Sequence, residues 1–455
     1  MTQTAPFTPV TVTPLPAEAS TFAILRTAIR NPVELWPTDM YRERTFTSDL
    51  LGQRVHTTAD PEMIKAVLQT HAAKFPKSDI EQVVLERATG QGLLTAAGAE
   101  WRKQRRMTAP IFRPKTVEGI APVMIEAGRE VATKLAAESG DVDVLPHMAN
   151  ATLKIIGSTL LSGDEDALDF DAISEMVDVL LDHLGKIDFL DFFDATRTLP
   201  RPWGRKGRRA VRWLQQAASD AANARRLSER EASDLLALLL SAVDPKTGAG
   251  LTEEEIRDNI LTFIGAGHET TSLALSWTLY LLAHHPEWQE RLWAERHAVC
   301  GDGPVRPDQI DALPLHAQVV QEAMRLYPPV PLLNRMASED IELCGIDMKA
   351  GDVVAFAIYV LHRHEHLWDN PTAFDPTRFA PEREANRHRF QYIPFSAGPR
   401  ICIGWKFAMT EAVAILSELM AAIRVAPIPG RDPYPRARIT LRPVGGMPLH
   451  VTPRT

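Results

Sequence analysis

One stretch constrains this chain more than any other: Leu251 to Pro286, LTEEEIRDNILTFIGAGHETTSLALSWTLYLLAHHP. Thr252 with Glu255 three positions later is a capping-box pattern, and Pro286 lies just past the apolar run, so the spacing predicts one helix of about thirty residues. Apolar residues fall on nearly every face, which fits a helix surrounded by protein and crossing the whole core. His268 and Glu269 inside it argue against a membrane span.

Gly265 and Gly267 sit mid-helix, where each costs about 1 kcal/mol relative to alanine. Two readings remain open: a helix crossing that needs small residues, or a groove where a ligand approaches the backbone. Thr270 and Thr271 follow, and their hydroxyls can bond carbonyls one turn earlier and open such a groove.

The rest of the 455-residue chain suits a large helical protein. It is 45% hydrophobic and 24% charged, enough to bury a substantial core. Amphipathic patterns run over 115–138, 150–162, 171–184, 208–226, 252–284, 286–299 and 403–424, with short strand-like pieces at 51–57, 340–358 and 438–452. The expected fold class is mainly α with small β-sheets (α+β). Breaks at 199–207 and 244–250 have apolar helices on both sides, so neither reads as a linker. The net charge of −8 speaks against nucleic acid as main partner. The seven Lys/Arg between Arg197 and Arg212 read as a solvated helix face, with a membrane-surface or phosphate contact as the alternative. No apolar run near the N-terminus is long enough for an anchor. Three cysteines without a C-x-x-C pair predict no disulfide framework and a cytoplasmic setting.

Zinc motifs fail on spacing. HETTS places Ser272 where a zincin helix needs its second histidine, and HRHEH (362–366) reads as a surface loop. In VVQEAMRLYPPVP (319–331), Glu322 and Arg325 share a helix face at i,i+3, and Arg378 in a later Pro-punctuated loop is a candidate second guanidinium for that carboxylate. Cys402 lies in PFSAGPRICIG (394–404), ahead of a helix whose first N–H groups point toward the sulfur and favour a thiolate. With no second ligand at zinc or cluster spacing, that thiolate suits the single proximal bond to haem iron. A buried structural cysteine is the alternative.

Taken together these residues resemble the cytochrome P-450 family of haem-thiolate monooxygenases. FSAGPRICIG fills every fixed position of F-x-x-G-x-R-x-C-x-G with Phe395, Gly398, Arg400, Cys402 and Gly404. AGHETT is similar to the family's oxygen-activation pattern, with Ala266, Gly267, Glu269 and Thr270 in place. EAMR resembles the E-x-x-R pair, which Arg378 completes as a network. WRKQR resembles the W-x-x-x-R helix that contacts a haem propionate through Trp101 and Arg105, and Arg335 matches a further propionate-binding arginine.

The resemblance implies one haem unit over 1–455, with a lead-in of about 45 residues and no fused reductase. Haem b would lie between the central helix and the cysteine-loop helix, with Cys402 as iron ligand. One atom of O2 would be inserted into a hydrophobic small molecule, of fatty acid, terpenoid or aromatic class. Glu269 and Thr270 would handle protons. Electrons would come from a separate ferredoxin or flavodoxin with an NAD(P)H-dependent reductase, docking on a basic patch of Arg102, Lys103, Arg106, Lys115 and Lys406. Candidate pocket residues are Ile264, Val330, Leu332, Leu333 and Met447, all apolar. The alternatives are a peroxide-driven peroxygenase, disfavoured by the intact acid–alcohol pair, and a non-catalytic haem-thiolate sensor.

Overall fold

The computed structural model describes residues 7–50, 52–78, 85–86, 89–160, 172–173, 175–177, 179, 205–227 and 234–454. Among these, the helices of ten residues or more are α1 (Thr21–Arg30), α2 (Gly98–Thr108), α3 (Pro114–Glu138), α4 (Val144–Leu160), α5 (Arg205–Leu227), α6 (Glu253–Ala283), α7 (Pro286–Cys300), α8 (Pro314–Leu326) and α9 (Trp405–Ala422). The helix expected at 171–184 lies largely outside the described residues, as do 197–204 of the basic segment.

Helix α6 is the axis of the molecule. Its capping box forms as the sequence predicts: Thr252 Oγ1 accepts from Glu255 N at 3.2 Å, and Glu255 Oε2 accepts from Thr252 N at 2.8 Å. Helices α4, α5, α8 and α9 pack against it. On the α4 side the crossing is close, because Thr152 Oγ1 donates to His268 O at 2.9 Å and a Cβ on Gly267 would lie 3.2 Å from Ile156 Cδ1. Gly267 therefore serves the helix crossing, whereas a Cβ on Gly265 would meet nothing within 4 Å. The two glycines divide the two readings between them. Helix α9 lies along α3, where Gly128 lets the backbones approach.

The strands are short. They are β1 (Thr45–Leu50), β2 (Gln53–Thr58), β3 (Gly140–Asp143), β4 (Leu333–Met336), β5 (Ile341–Leu343), β6 (Ile346–Met348), β7 (Val353–Phe356), β8 (Ile423–Pro427), β9 (Tyr434–Ala437), β10 (Leu441–Val444) and β11 (Pro448–Pro453). They form a four-stranded sheet ordered β1-β2-β7-β4, a three-stranded sheet β3-β11-β8, and the hairpins β9–β10 and β5–β6. In the first sheet β2 and β7 run parallel, and β4 carries Arg335 opposite Val354. Buried apolar residues from Val12 to Val451 make one contiguous core.

One local expectation changes and two segments gain detail. The N-terminal lead-in contains α1 and a segment strapped to the core: Phe7 stacks on His284 at 3.6 Å between ring centroids, and Tyr327 OH donates to Val10 O at 2.8 Å. HRHEH is not a surface loop, since His362, Arg363 and His364 are buried. His362 is held neutral by burial, and its Nε2 accepts from Ile393 N at 3.0 Å, one residue before the cysteine segment begins. The break at 244–250 is a turn whose Asp244 is buried against Arg106, which ties it to α2. Among the described residues no helix is long and apolar enough to cross a membrane.

Candidate functional site

Along α6 nearly every residue from Ile256 to Ala283 is buried except one island: Gly265, Ala266, Gly267 and Thr270 present surface, Ala266 most of all. A helix enclosed by protein can do this only where it borders an internal cavity. Thr270 Oγ1 donates to Ala266 O at 2.7 Å, the back-bond that competes with the helical ladder.

Cys402 is likewise deep in the protein and yet exposed, so its sulfur also opens onto internal space. The loop that carries it is tightly specified. Cys402 N donates to Phe395 O at 2.9 Å, Ile401 N to Gly398 O at 3.1 Å and Ser396 N to Ile393 O at 3.0 Å. Gly398 has φ 69°, and a Cβ there would lie 1.8 Å from Leu68 O, so only glycine fits. A Cβ on Gly404 would touch only the ring of Phe112, in ordinary contact. Burial pushes the Cys402 thiol above its ordinary value, opposed by the Gly404 N–H and by Arg105. The helix donors expected to favour the thiolate are thus reduced to one N–H and one guanidinium, and burial outweighs them.

The ion-pair network forms as expected and reaches this loop. Glu322 receives Arg325 Nε and Nη2, each at 2.7 Å, Asp375 N at 2.9 Å and Arg378 Nε at 3.4 Å. Arg325 Nη1 also donates to His362 O at 2.7 Å. A line of bonds therefore runs from Glu322 through Arg325 and His362 to Ile393 and the cysteine loop.

Trp101, Arg105 and Arg335 are expected to contact haem propionates, and Arg400 belongs to the cysteine-loop pattern. Arg400 lies 4.4 Å from the Trp101 ring centroid, and its Nη2 donates to Ala96 O at 2.8 Å. Arg335 is buried on β4. Arg105 on α2 is close enough to Cys402 for their charges to interact, and burial lowers its pKa. Its guanidinium makes no hydrogen bond or ion pair among the described residues. A half-buried cation without an anion is costly, and a haem propionate would relieve it. The donor set therefore fits haem: one thiol, a cation without a partner among the described residues, and small residues of α6 that present surface beside Thr270.

The acid–alcohol pair is arranged differently from a simple relay. Glu269 Oε1 accepts from Thr440 Oγ1 at 2.7 Å and from Arg442 Nε at 2.5 Å, so its carboxylate is tied to the β9–β10 hairpin. His268 beside it is buried, with neither ring nitrogen bonded among the described residues, and its pKa falls to about 4 through burial and the Arg442 charge. Glu411 on α9 is wholly buried with Thr271 as hydrogen-bond partner, and burial raises it to about 8. Sequence reading missed Thr440 and Arg442, which stand some 170 residues from Glu269. Glu411 left a signal, a lone acid within the apolar run FAMTEAVAIL.

Two expectations are corrected. Met447 is fully buried in the core, its N–H donating to Asp143 and its carbonyl accepting from Val144 N, and it shows the cavity no surface. Ile264 is also buried, whereas Val330, Leu332 and Leu333 are half-buried. The basic patch is largely neutralised within the molecule: Lys103 pairs with Glu255, Arg106 with Asp244 and Lys406 with Asp311. Arg102 and Lys115 remain exposed and unpaired among the described residues.

Comparison with known proteins agrees with this site. The family model described as Cytochrome P450 matches residues 36–447. A cytokinin hydroxylase of Arabidopsis thaliana is 33% identical, over 87% of this chain and 78% of its own. A pentalenene oxygenase of Streptomyces avermitilis is 30% identical, over 90% and 91%. The crystal structure of the cytochrome P450DA heme domain superposes with a TM-score of 0.85 at 26% identity, over 97% and 98%. The thiol loop, the opened helix and these likenesses establish that the chain belongs to the cytochrome P450 family, haem-dependent monooxygenases.

Proposed function

We propose that the chain hydroxylates a hydrophobic small molecule with O2, drawing electrons from a separate ferredoxin or flavodoxin and its NAD(P)H-dependent reductase, in the cytoplasm and as one haem unit. The observation that carries this reading is the opening in α6, where Thr270 presents its hydroxyl to the cavity on the Ala266 carbonyl. When bound, haem supplies the oxygen activation. Cys402 is the residue that ligates its iron. Arg105, Arg335 and Arg400 hold its carboxylates, with Trp101 stacked on Arg400.

Thr270 holds a proton at Oγ1 one turn from the Ala266 carbonyl, and Glu269 beside it links that point to the β9–β10 hairpin. Leu332, Leu333 and Val330 favour an apolar substrate, by exclusion of water and not by hydrogen bonding. Relatives named for cytokinin, taurochenodeoxycholic and pentalenene substrates differ widely, so the class stays at fatty acid, terpenoid or aromatic compound. Neutralisation of the basic patch favours a partner held by a few contacts: exposed Trp405, Arg102 and Lys115.

The test is Thr270→Ala with any compound that shifts the spin state of the ferric enzyme. Product formed per electron consumed should fall while substrate binding is kept. Unchanged coupling would refute the proton-handling role and favour the peroxygenase reading.

A further inference from the structure

A pocket of about 140 Å³ lies on the β9–β10 hairpin, lined among others by Arg436, Arg438, Thr440, Arg442 and Glu269. The hairpin register sets Arg442 directly opposite Arg436. Like charges directly opposite on antiparallel strands repel, and such pairs are destabilising when nothing lies between them. Glu269 answers only part of this charge. From Arg442 it receives Nε alone, which leaves the terminal NH2 groups of Arg442 as donors. Arg436 is half-buried, and its guanidinium has no hydrogen bond or ion pair among the described residues. Asp143, beside the end of the hairpin, is turned to the backbone, where it accepts from Leu145 N and Met447 N.

We propose that this pocket is an oxyanion-binding site, in which a phosphate or carboxylate group bridges Arg436 and Arg442. Guanidinium groups present paired N–H donors that match such an anion bidentately. Because Arg442 is shared with Glu269, the occupant competes for the cation that holds Glu269, and its presence loosens that carboxylate. The site thereby couples the anion content of the surroundings, or the acidic end of a larger molecule, to the acid next to Thr270.

Calorimetry on the haem-loaded full chain tests this without turnover, so its result is separate from that of the Thr270 experiment. Inorganic phosphate is titrated into the parent, Arg436→Gln and Arg436→Lys, with exposed Arg431→Gln as the control for simple loss of charge. A long-chain fatty acid and its methyl ester form the second arm. Expected is saturable one-to-one binding by the parent and by Arg431→Gln, weakened at least about tenfold in Arg436→Gln and less in Arg436→Lys. Phosphate binding identifies a free anion as occupant. Binding of the acid over the ester, lost in Arg436→Gln, identifies the carboxylate of a larger molecule. No saturable binding in either arm, or equal binding by folded Arg436→Gln, overturns the proposal.

Discussion

Replacing Glu322 with glutamine tests whether the buried network carries the cysteine loop. The carboxylate has no solvent contact and accepts four donors, from Arg325 twice, Asp375 N and Arg378. The amide keeps the shape but removes the charge, and its NH2 faces guanidinium donors. Arg325 retains the carbonyls of His362, Pro371 and Ala373, yet its charge is left without an anion. Breaking a buried pair in this way costs about 3–5 kcal/mol. By contrast, the pair of Arg383 with Asp375 is partly exposed, and Arg383→Ala should cost no more than about 1 kcal/mol. The assay is urea unfolding followed by circular dichroism, with haem retention on a desalting column as second readout. Glu322→Asp, which keeps the charge one methylene back, serves if the glutamine variant does not fold. A Glu322→Gln protein within about 1 kcal/mol of the parent that retains its haem would refute the reasoning.

Other consequences are as direct. Gly398→Ala should lose haem during purification, because the new methyl would overlap Leu68 O at a positive φ; full haem content would show that the loop can move aside. Glu411 is raised to about 8 from its ordinary 4.5, so the folded protein holds its proton more tightly than the unfolded chain. Its contribution is present below pH 4.5 and lost as pH rises to about 8. The slope is about 1.4 kcal/mol per pH unit, which Glu411→Gln should remove from the stability profile. Parallel profiles for the two proteins would contradict the assignment. Arg102→Glu should weaken reductase-partner docking in a salt-dependent way more than Arg106→Gln, whose charge Asp244 takes up. Equal effects in calorimetry would restore the undivided patch.

Much of this site could be read in the sequence because it is built from local signals. The capping box at Thr252, Gly398 in the cysteine loop and the i,i+3 pair of Glu322 and Arg325 are decided within a few residues. What escaped depends on partners far along the chain. HRHEH looks polar enough for the surface, but Arg325 and Ile393 supply its carbonyl and ring with bonds, so burial becomes tolerable. Lys103, Arg106 and Lys406 looked like a docking patch because Glu255, Asp244 and Asp311 are distant in sequence. Met447 is apolar like the other pocket candidates, but its backbone bonds to the 143–144 segment hold it in the core. The tie of Glu269 to Arg442 needs the hairpin register, which no local pattern encodes.

The central claim is that Cys402 sulfur ligates the haem iron. The carbon-monoxide difference spectrum of the reduced protein tests it most directly. A strongly red-shifted Soret band, lost in Cys402→His, is the predicted result. A band at the shorter wavelength of imidazole-ligated haem in the parent, or protein that folds and turns over without pigment, would contradict it.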